Sequence, residues 1–503
     1  MKLSFLPSFF KTKEEALVVP DSLLLKKIKS LSQNSNLVVF SHKEIYHHKE
    51  SYPIALMIYD DLRGLYIFEI KEWSYDDLKN ATASKAESVE NSKNTLAFDK
   101  THAIIKKKFN ELLHNDGVEI FNYLLMENLS SDEYEHLNDS LQEILPKDKI
   151  IFSDSDTSEI FKKLQSAAEE NHTLPSKDLV LGTLFIQYAI VKGEEIYLCN
   201  EEQREFIDTK ISATANLLAE PKSGKSYTLL LKSIKELFKE ERKKIILIKP
   251  TILSKEILHK RFLELIEHAI IDIDLMAFEI LTPIELVNRH LMKLKMPTLD
   301  DETLYIDEKL MQKSFDVADL ILCDDADTMP AHFLSYLKHI QKKSDLLFVN
   351  NTDEEATFNF TQSYLPTKRE VQFHKTNPYA KAMHLIASLL KDTDAAEIVV
   401  ISTQQNREKL QEDLGSFVED ETLLLDASKH LTEQKIDSSI LLTTYDNTIE
   451  LEAKYVILMD LCFEDMQQLA RACNVATKGL YILYEEDSED IEKLKEKYEN
   501  NQE

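Results

Sequence analysis

Residues 217–228 read Leu-Leu-Ala-Glu-Pro-Lys-Ser-Gly-Lys-Ser-Tyr-Thr. Gly224, Lys225 and Ser226 meet the end of the pattern G-x-x-x-x-G-K-[S/T], and Ala219 stands where its first glycine belongs. Such a loop wraps backbone N–H groups around phosphate oxygens, sets a lysine on the outer phosphates and offers a hydroxyl to Mg²⁺. Further along, Asp324 and Asp325 close the run Asp319-Leu-Ile-Leu-Cys. Carboxylates at the end of a buried strand can hold Mg²⁺ through water and polarise an attacking water. The two groups together imply handling of a nucleoside triphosphate.

Such groups work only if secondary structure presents them together. An apolar segment at 216–218 enters the loop, and Leu229, Leu230, Ile234 and Leu237 leave it with helical spacing. A helix N-terminus adds a dipole that favours an anion. The competing reading is a chance Gly-Lys-Ser on a loop of a lysine-rich chain. From about 180 onward, short apolar strands alternate with amphipathic helices: Ile245–Ile248, Leu320–Cys323, 346–349, Ile398–Ile401, 439–442 and 455–459. That rhythm predicts an α/β fold with parallel sheet covered on both faces. Upstream, 37–40, 54–59 and 65–73 read as strands, the last two joined by a turn at 60–64.

Composition narrows the function classes. A chain of 503 residues has room for several domains. Its formal charge of −29 argues against a generally basic, nucleic-acid-coating surface while leaving room for a local basic groove. Cys199, Cys323, Cys462 and Cys473 are scattered, with no paired spacing for zinc, and read as reduced core residues of a cytoplasmic protein. The longest apolar run, 179–191, contains Gln187 and falls short of the roughly 20 residues of a membrane helix. No membrane segment is expected, and the apolar N-terminus, broken by Pro7, reads as a packing or docking segment.

Taken with Cys199-Asn-Glu-Glu-Gln203-Arg204, the loop and the acidic strand end resemble the superfamily 1 DNA helicases of the UvrD/Rep type. The similarity runs over about 190–485, through 245–262, Thr443-Thr-Tyr-Asp-Asn-Thr-Ile-Glu-Leu-Glu452 and 469–483. It implies a P-loop NTPase with two tandem RecA-like parallel-sheet domains. It also implies ATP and Mg²⁺ as cofactors, and DNA, single-stranded, as partner. Under it Gln203 would read adenine, while Gly224, Lys225, Ser226, Lys375 and Glu452 would hold the nucleotide. Ser226 and Asp324 would hold Mg²⁺, and Asp325 would replace the catalytic glutamate, one methylene shorter. Several motifs depart from the family. Its transition-state arginine falls on Val475, with Arg471 available only in a different register, and such an arginine contributes roughly 10³–10⁵ in rate. Lys375 stands near another family arginine and lacks the bidentate fork. The segment ending at Glu354 has lost its glutamine, and Ile449 and Glu450 replace a lysine and a glycine.

The strand Gly64-Leu-Tyr-Ile-Phe-Glu69-Ile-Lys71-Glu-Trp73 resembles that of nuclease-related (NERD) domains, of the restriction-endonuclease-like fold. The resemblance makes Glu69 a metal-binding carboxylate and Lys71 its partner on the same strand face. Cleavage needs a further acid, yet the turn near 61–62 sets Glu69 opposite Ala55 or Leu56. The competing reading is the solvated face of a half-buried strand.

The expected organisation is a nuclease-related domain at 1–150, a linker or connecting helices at 151–190, RecA-like domains at 191–365 and 366–485, and a charged tail at 486–503. Two functions fit: an ATP-binding, helicase-like DNA-processing protein with weakened hydrolysis, or an inactive helicase-like subunit acting through protein partners in a repair or defence assembly. A coincidental motif order in an unrelated P-loop protein is the third reading.

Overall fold

The computed structural model describes residues 22–499 except 34–36, 80–97, 113–117, 193–194, 220–221, 240–243, 301–303, 314, 316, 342–343, 351–355, 362–368, 418–423, 427–437, 462 and 464–465. Two units divide the chain, Met1–Phe185 and Ile186–Glu503.

In the first unit, β1 (Leu37–His47), β2 (Glu50–Asp60) and β3 (Gly64–Ser74) form an antiparallel meander, with Leu37 opposite Asp60 and Leu56 opposite Phe68. β4 (Ile120–Asn128) and β5 (Ile150–Ile151) continue the sheet in parallel. Helix Leu23–Ser30 opens on Ser22, whose hydroxyl accepts from Leu25 N at 3.1 Å, and it buries Leu24, Leu25 and Ile28. Ile151, Ile160 and Leu164 enter the same core, two of them from helix Thr157–Gln165. Residues 151–185, within the stretch 151–190 expected as a linker or connecting helices, carry helices and group with the first unit, Ile160 and Leu164 giving one helix face an apolar stripe.

The second unit begins with a hairpin, β6 (Ala189–Lys192) and β7 (Glu195–Leu198). Its first sheet joins β8 (Thr214–Ala219), β9 (Ile245–Ile248), β10 (Phe278–Leu281), β11 (Leu320–Cys323), β12 (Asp345–Asn350) and β13 (Phe358–Phe360) in the order β10-β9-β11-β12-β8-β13. Its second joins β14 (Glu370–Lys375), β15 (Ile398–Ile401), β16 (Leu424–Asp426), β17 (Ile440–Thr443), β18 (Ala453–Leu458) and β19 (Ala476–Tyr484) in the order β14-β19-β18-β15-β17-β16. Every neighbouring pair in both sheets is parallel. The fold is α/β, with the two tandem parallel sheets of the expected RecA-like kind. β9, β11, β15 and β17 are buried at every position, as parallel strands covered on both faces must be. The charged C-terminal segment, expected as a solvated terminal helix, forms helix Glu489–Glu499, which packs Ile491 and Leu494 into the core of the second sheet. Arg369 helps to hold it, donating to Tyr498 Oη at 2.8 Å and to the carbonyl of Cys473 at 2.6 Å. No helix among the described residues is long and apolar enough to cross a membrane.

Candidate functional site

β8 delivers the chain into the loop with Ala215, Leu217 and Ala219 buried. Beyond Glu220 and Pro221, which lie outside the described residues, Lys222 (φ 64°) and Gly224 (φ 76°) both take left-handed backbone. Gly224 accepts that conformation without the Cβ clash that other residues meet. Helix Lys225–Lys239 starts at once, the Gly224 carbonyl accepting from Thr228 N at 3.0 Å and Thr228 Oγ1 at 2.9 Å. Lys225 and Ser226 therefore sit in the first helical turn, facing the end of β11.

Parallel register assembles the rest. Cys323 pairs with Ile248, so the residues that follow, Asp324 and Lys249, emerge side by side at the carboxyl ends of their strands. That crevice is where open α/β sheets bind ligands. Lys249 Nζ donates to Asp324 Oδ2 at 2.8 Å, to Asp325 Oδ2 at 2.6 Å and to Glu450 Oε1 at 2.9 Å. Lys225 Nζ donates to the other oxygen of Asp325. Glu450 arrives from the segment between β17 and β18 of the second sheet, itself at a left-handed φ of 65°. Arg261, on helix Ile252–Ala269, donates to Glu450 Oε2 and, at 3.1 Å, to the Glu450 carbonyl. The Ser226 hydroxyl contacts both Asp324 Oδ2, at 2.7 Å, and Glu450 Oε1, with one proton to share between them. Three cations thus face three carboxylates in one network.

Burial makes these charges matter. Lys249 and Asp324 are fully inaccessible. Desolvation pulls the Lys249 ammonium down, but Asp324, Asp325 and Glu450 outweigh it and hold it well above its ordinary value. Burial pushes Asp325 up, yet the ammonium groups of Lys225 and Lys249 overcome this and hold it far below the usual carboxylate range. Asp324 is raised, by burial first and then by the charge of Asp325.

A cavity beside the network is lined by the cations Lys192, Lys222, Lys225, Arg261 and Arg471, and by Asp325, Glu450 and Glu452. Gly224 and Ser226 line it as well. Glu452 is there as expected, but its carboxylate is paired with Lys192 at 2.8 Å. Arg471, on helix Met466–Asn474, lines the wall next to the buried Val475 and makes no ion pair among the described residues.

Other residues of the expected site are engaged within the protein. Gln203 is buried and used at both ends, its Nε2 donating to the Ser223 carbonyl at 2.6 Å and its Oε1 accepting from Asn200 N at 2.8 Å. It braces the loop through one of its two amide N–H groups and its carbonyl oxygen. Lys375 lies outside the cavity, paired with Asp487 at the exposed end of β14. Mg²⁺, expected on Ser226 and Asp324, does not fit beside an ammonium already bonded to Asp324, Asp325 and Glu450, the three acids close enough to share an ion among the described residues. The segment 351–355, with Glu354, and Cys462 lie outside the described residues, while Cys199, Cys323 and Cys473 are buried free thiols. In the first unit Glu69 Oε1 accepts from Lys71 Nζ at 2.6 Å, and Lys71 lies 5.0 Å from the Trp73 ring centre. The neighbouring Phe68 pairs with Leu56, near the register expected. No group of three metal-ligating side chains includes Glu69 among the described residues.

Lys249, Arg261 and Lys192 had no role in the sequence reading. The one signal was positional: Lys249 directly follows the fully apolar Ile245–Ile248, at the strand end where such sheets place their sites.

No family model matches the chain, and no curated protein matches it. Among solved structures, it is similar to Dbp5 of S. cerevisiae bound to RNA and ADP BeF3, at 14% identity over 64% of this chain and 90% of that one, with a TM-score of 0.44. It is also similar to the helicase Lhr of Mycobacterium smegmatis bound to ssDNA and AMP-PNP, at 10% identity over 56% and 47% of the two chains, with a TM-score of 0.38. The DUF1998 helicase MrfA bound to DNA matches at 10% identity over 61% and 49%, with a TM-score of 0.41.

Proposed function

We propose that the chain is a helicase-like nucleotide-binding protein of superfamily 1 type that holds ATP and hydrolyses it slowly. The observation that carries this reading is the convergence of Lys192, Lys222, Lys225, Arg261 and Arg471 on one cavity at a helix N-terminus. Cations around aligned N–H groups suit a polyphosphate. The buried Ser223 hydroxyl, without a partner among the described residues, adds an unused polar group to the same loop.

Weak hydrolysis follows from Asp325. Both its oxygens are taken, one by Lys225 and one by Lys249. A carboxylate held so far below neutrality is a poor base for an attacking water. This favours the regulatory or interaction subunit of a larger assembly over an autonomous unwinding motor. The first unit is read as nuclease-related without cleavage chemistry, since the Glu69 carboxylate is committed to Lys71. Single-stranded DNA is the proposed partner of the second unit.

Calorimetric ATP titration of the full chain, with turnover measured with and without single-stranded DNA, tests the reading. ATP should bind, binding should be lost in Lys225→Ala, and turnover should stay slow. Absence of ATP binding to the wild-type chain would sink the nucleotide assignment. Rapid DNA-stimulated turnover would sink the assignment of Asp325 as a disabled base.

A further inference from the structure

An ammonium has three N–H groups to give. Those of Lys249 go to three different carboxylates, Asp324, Asp325 and Glu450, at 2.6–2.9 Å. The position is set by the backbone. Lys249 N donates to the Leu281 carbonyl of β10 at 3.0 Å, and the β9–β11 register brings Lys249 beside Asp324. The side chain is wholly enclosed. A divalent ion drawn to the same oxygens would have to share them with a cation that has no exposed route outward.

We infer that Lys249 is the resident cation of this site, occupying the place of a divalent metal, so that the site excludes Mg²⁺ and takes a nucleoside polyphosphate without it. The inference rests on the nucleotide reading given above. Its consequence is specific: phosphate charge is met by side chains at the cavity, Lys192, Lys222, Arg261 and Arg471 among them, and not by a metal. Asp324 and Ser226 keep the residue types of a metal site while serving the ammonium network, the Ser226 hydroxyl 2.7 Å from Asp324 Oδ2. Lys225 and Arg261 complete the balance, three positive groups against three carboxylates.

Two measurements on the full chain test this. Mn²⁺ added to metal-free protein is followed by the loss of its free-ion electron paramagnetic resonance signal, and ATP is titrated calorimetrically in excess EDTA and in excess Mg²⁺. The expected results are no Mn²⁺ binding and ATP affinities agreeing within about threefold. Stoichiometric Mn²⁺ binding by the wild-type chain, or an affinity that rises about tenfold or more with Mg²⁺, would overturn the inference. No ATP binding in either condition would overturn the nucleotide reading instead, and the Mn²⁺ titration would still decide on Lys249. Lys249→Met should gain Mn²⁺ binding by removing the ammonium that bridges the three acids, and a folded variant without that gain counts against the inference. Should the excess of carboxylates over the two remaining cations, Lys225 and Arg261, prevent folding, Lys249→Met combined with Asp325→Asn removes one acidic charge and serves the same comparison.

Discussion

Replacing Glu450 by glycine separates the two things this residue does. Its backbone sits at φ 65°, which for a residue with a Cβ costs about 1–2 kcal/mol. Glycine relieves that cost. Its carboxylate joins Lys249, Arg261 and Ser226 at 8% side-chain exposure. Lys249 would keep Asp324 and Asp325, but Arg261 would lose its carboxylate and keep the neutral backbone carbonyl of residue 450, 3.1 Å away, and the Tyr227 ring, 5.1 Å away. Removing one partner of a buried pair costs roughly 3–5 kcal/mol. The difference leaves Glu450→Gly less stable than wild type by roughly 1–4 kcal/mol, measured by urea unfolding of the ligand-free chain. ATP binding should move the other way. A freed guanidinium offers a charge-assisted hydrogen bond of about 1.5–3 kcal/mol, so the affinity should rise by roughly one to two orders of magnitude. Glu450→Gln, which removes the charge and keeps the strained backbone, should show the larger loss of stability with a smaller gain in affinity. Equal stability and equal ATP affinity of wild type and Glu450→Gly would refute the placement of Glu450 in the network.

Three further outcomes are expected. Lys108 is fully buried, with one hydrogen bond given, to the Thr183 carbonyl at 3.4 Å, and burial pushes its ammonium down to about 8. Its charge therefore destabilises the first unit at neutral pH, and stability should rise as pH increases from 8 toward 10.5. Lys108→Met should flatten that rise and raise the unfolding midpoint, as read by a thermal scan across pH. His290, stacked on Phe315 and buried, is pushed down to about 4 by desolvation, so the native state holds it neutral. Stability should fall as pH drops from 6.5 toward 4, by at most about 3 kcal/mol, and His290→Phe should remove that slope in acid unfolding curves. Gln203→Ala should weaken ATP and GTP equally in competition titrations, because the amide braces the Ser223 carbonyl; selective loss of ATP would show that it reads the base after all.

Long-range pairing explains what could be read from the chain and what could not. β9, β11 and β15 begin and end where their apolar runs do, because a strand buried on both faces leaves no polar position to blur its limits. β10, β13, β14 and β16 escaped notice: all four lie at sheet edges, and Glu279, Asn359, Gln372 and Asp426 break the apolar runs in them. The packing of helix Glu489–Glu499, expected as a helix, was hidden by its charges, although Ile491, Leu494 and Tyr498 lie on one helical stripe. At the site, Gly224, Lys225, Ser226 and Asp324 were legible because the loop chemistry is local. Lys249 and Glu450 were not. One depends on a strand register, and the other on the fold of a second sheet.

The network also reconciles an acidic chain with an anion site. Lys225, Lys249 and Arg261 are balanced by Asp324, Asp325 and Glu450, so that group offers a polyphosphate no net attraction until a contact opens. What remains at the cavity is Lys192 and Arg471 against Glu452, together with the helix N-terminus behind Gly224. The overall charge of −29 repels an anion at long range, but salt screens that field beyond about 8–10 Å. Inside the cavity the local excess acts with little screening. Where the charges sit therefore decides binding more than their sum, and the first bond a phosphate must replace is one the protein makes with itself, Arg261 to Glu450 or Lys225 to Asp325.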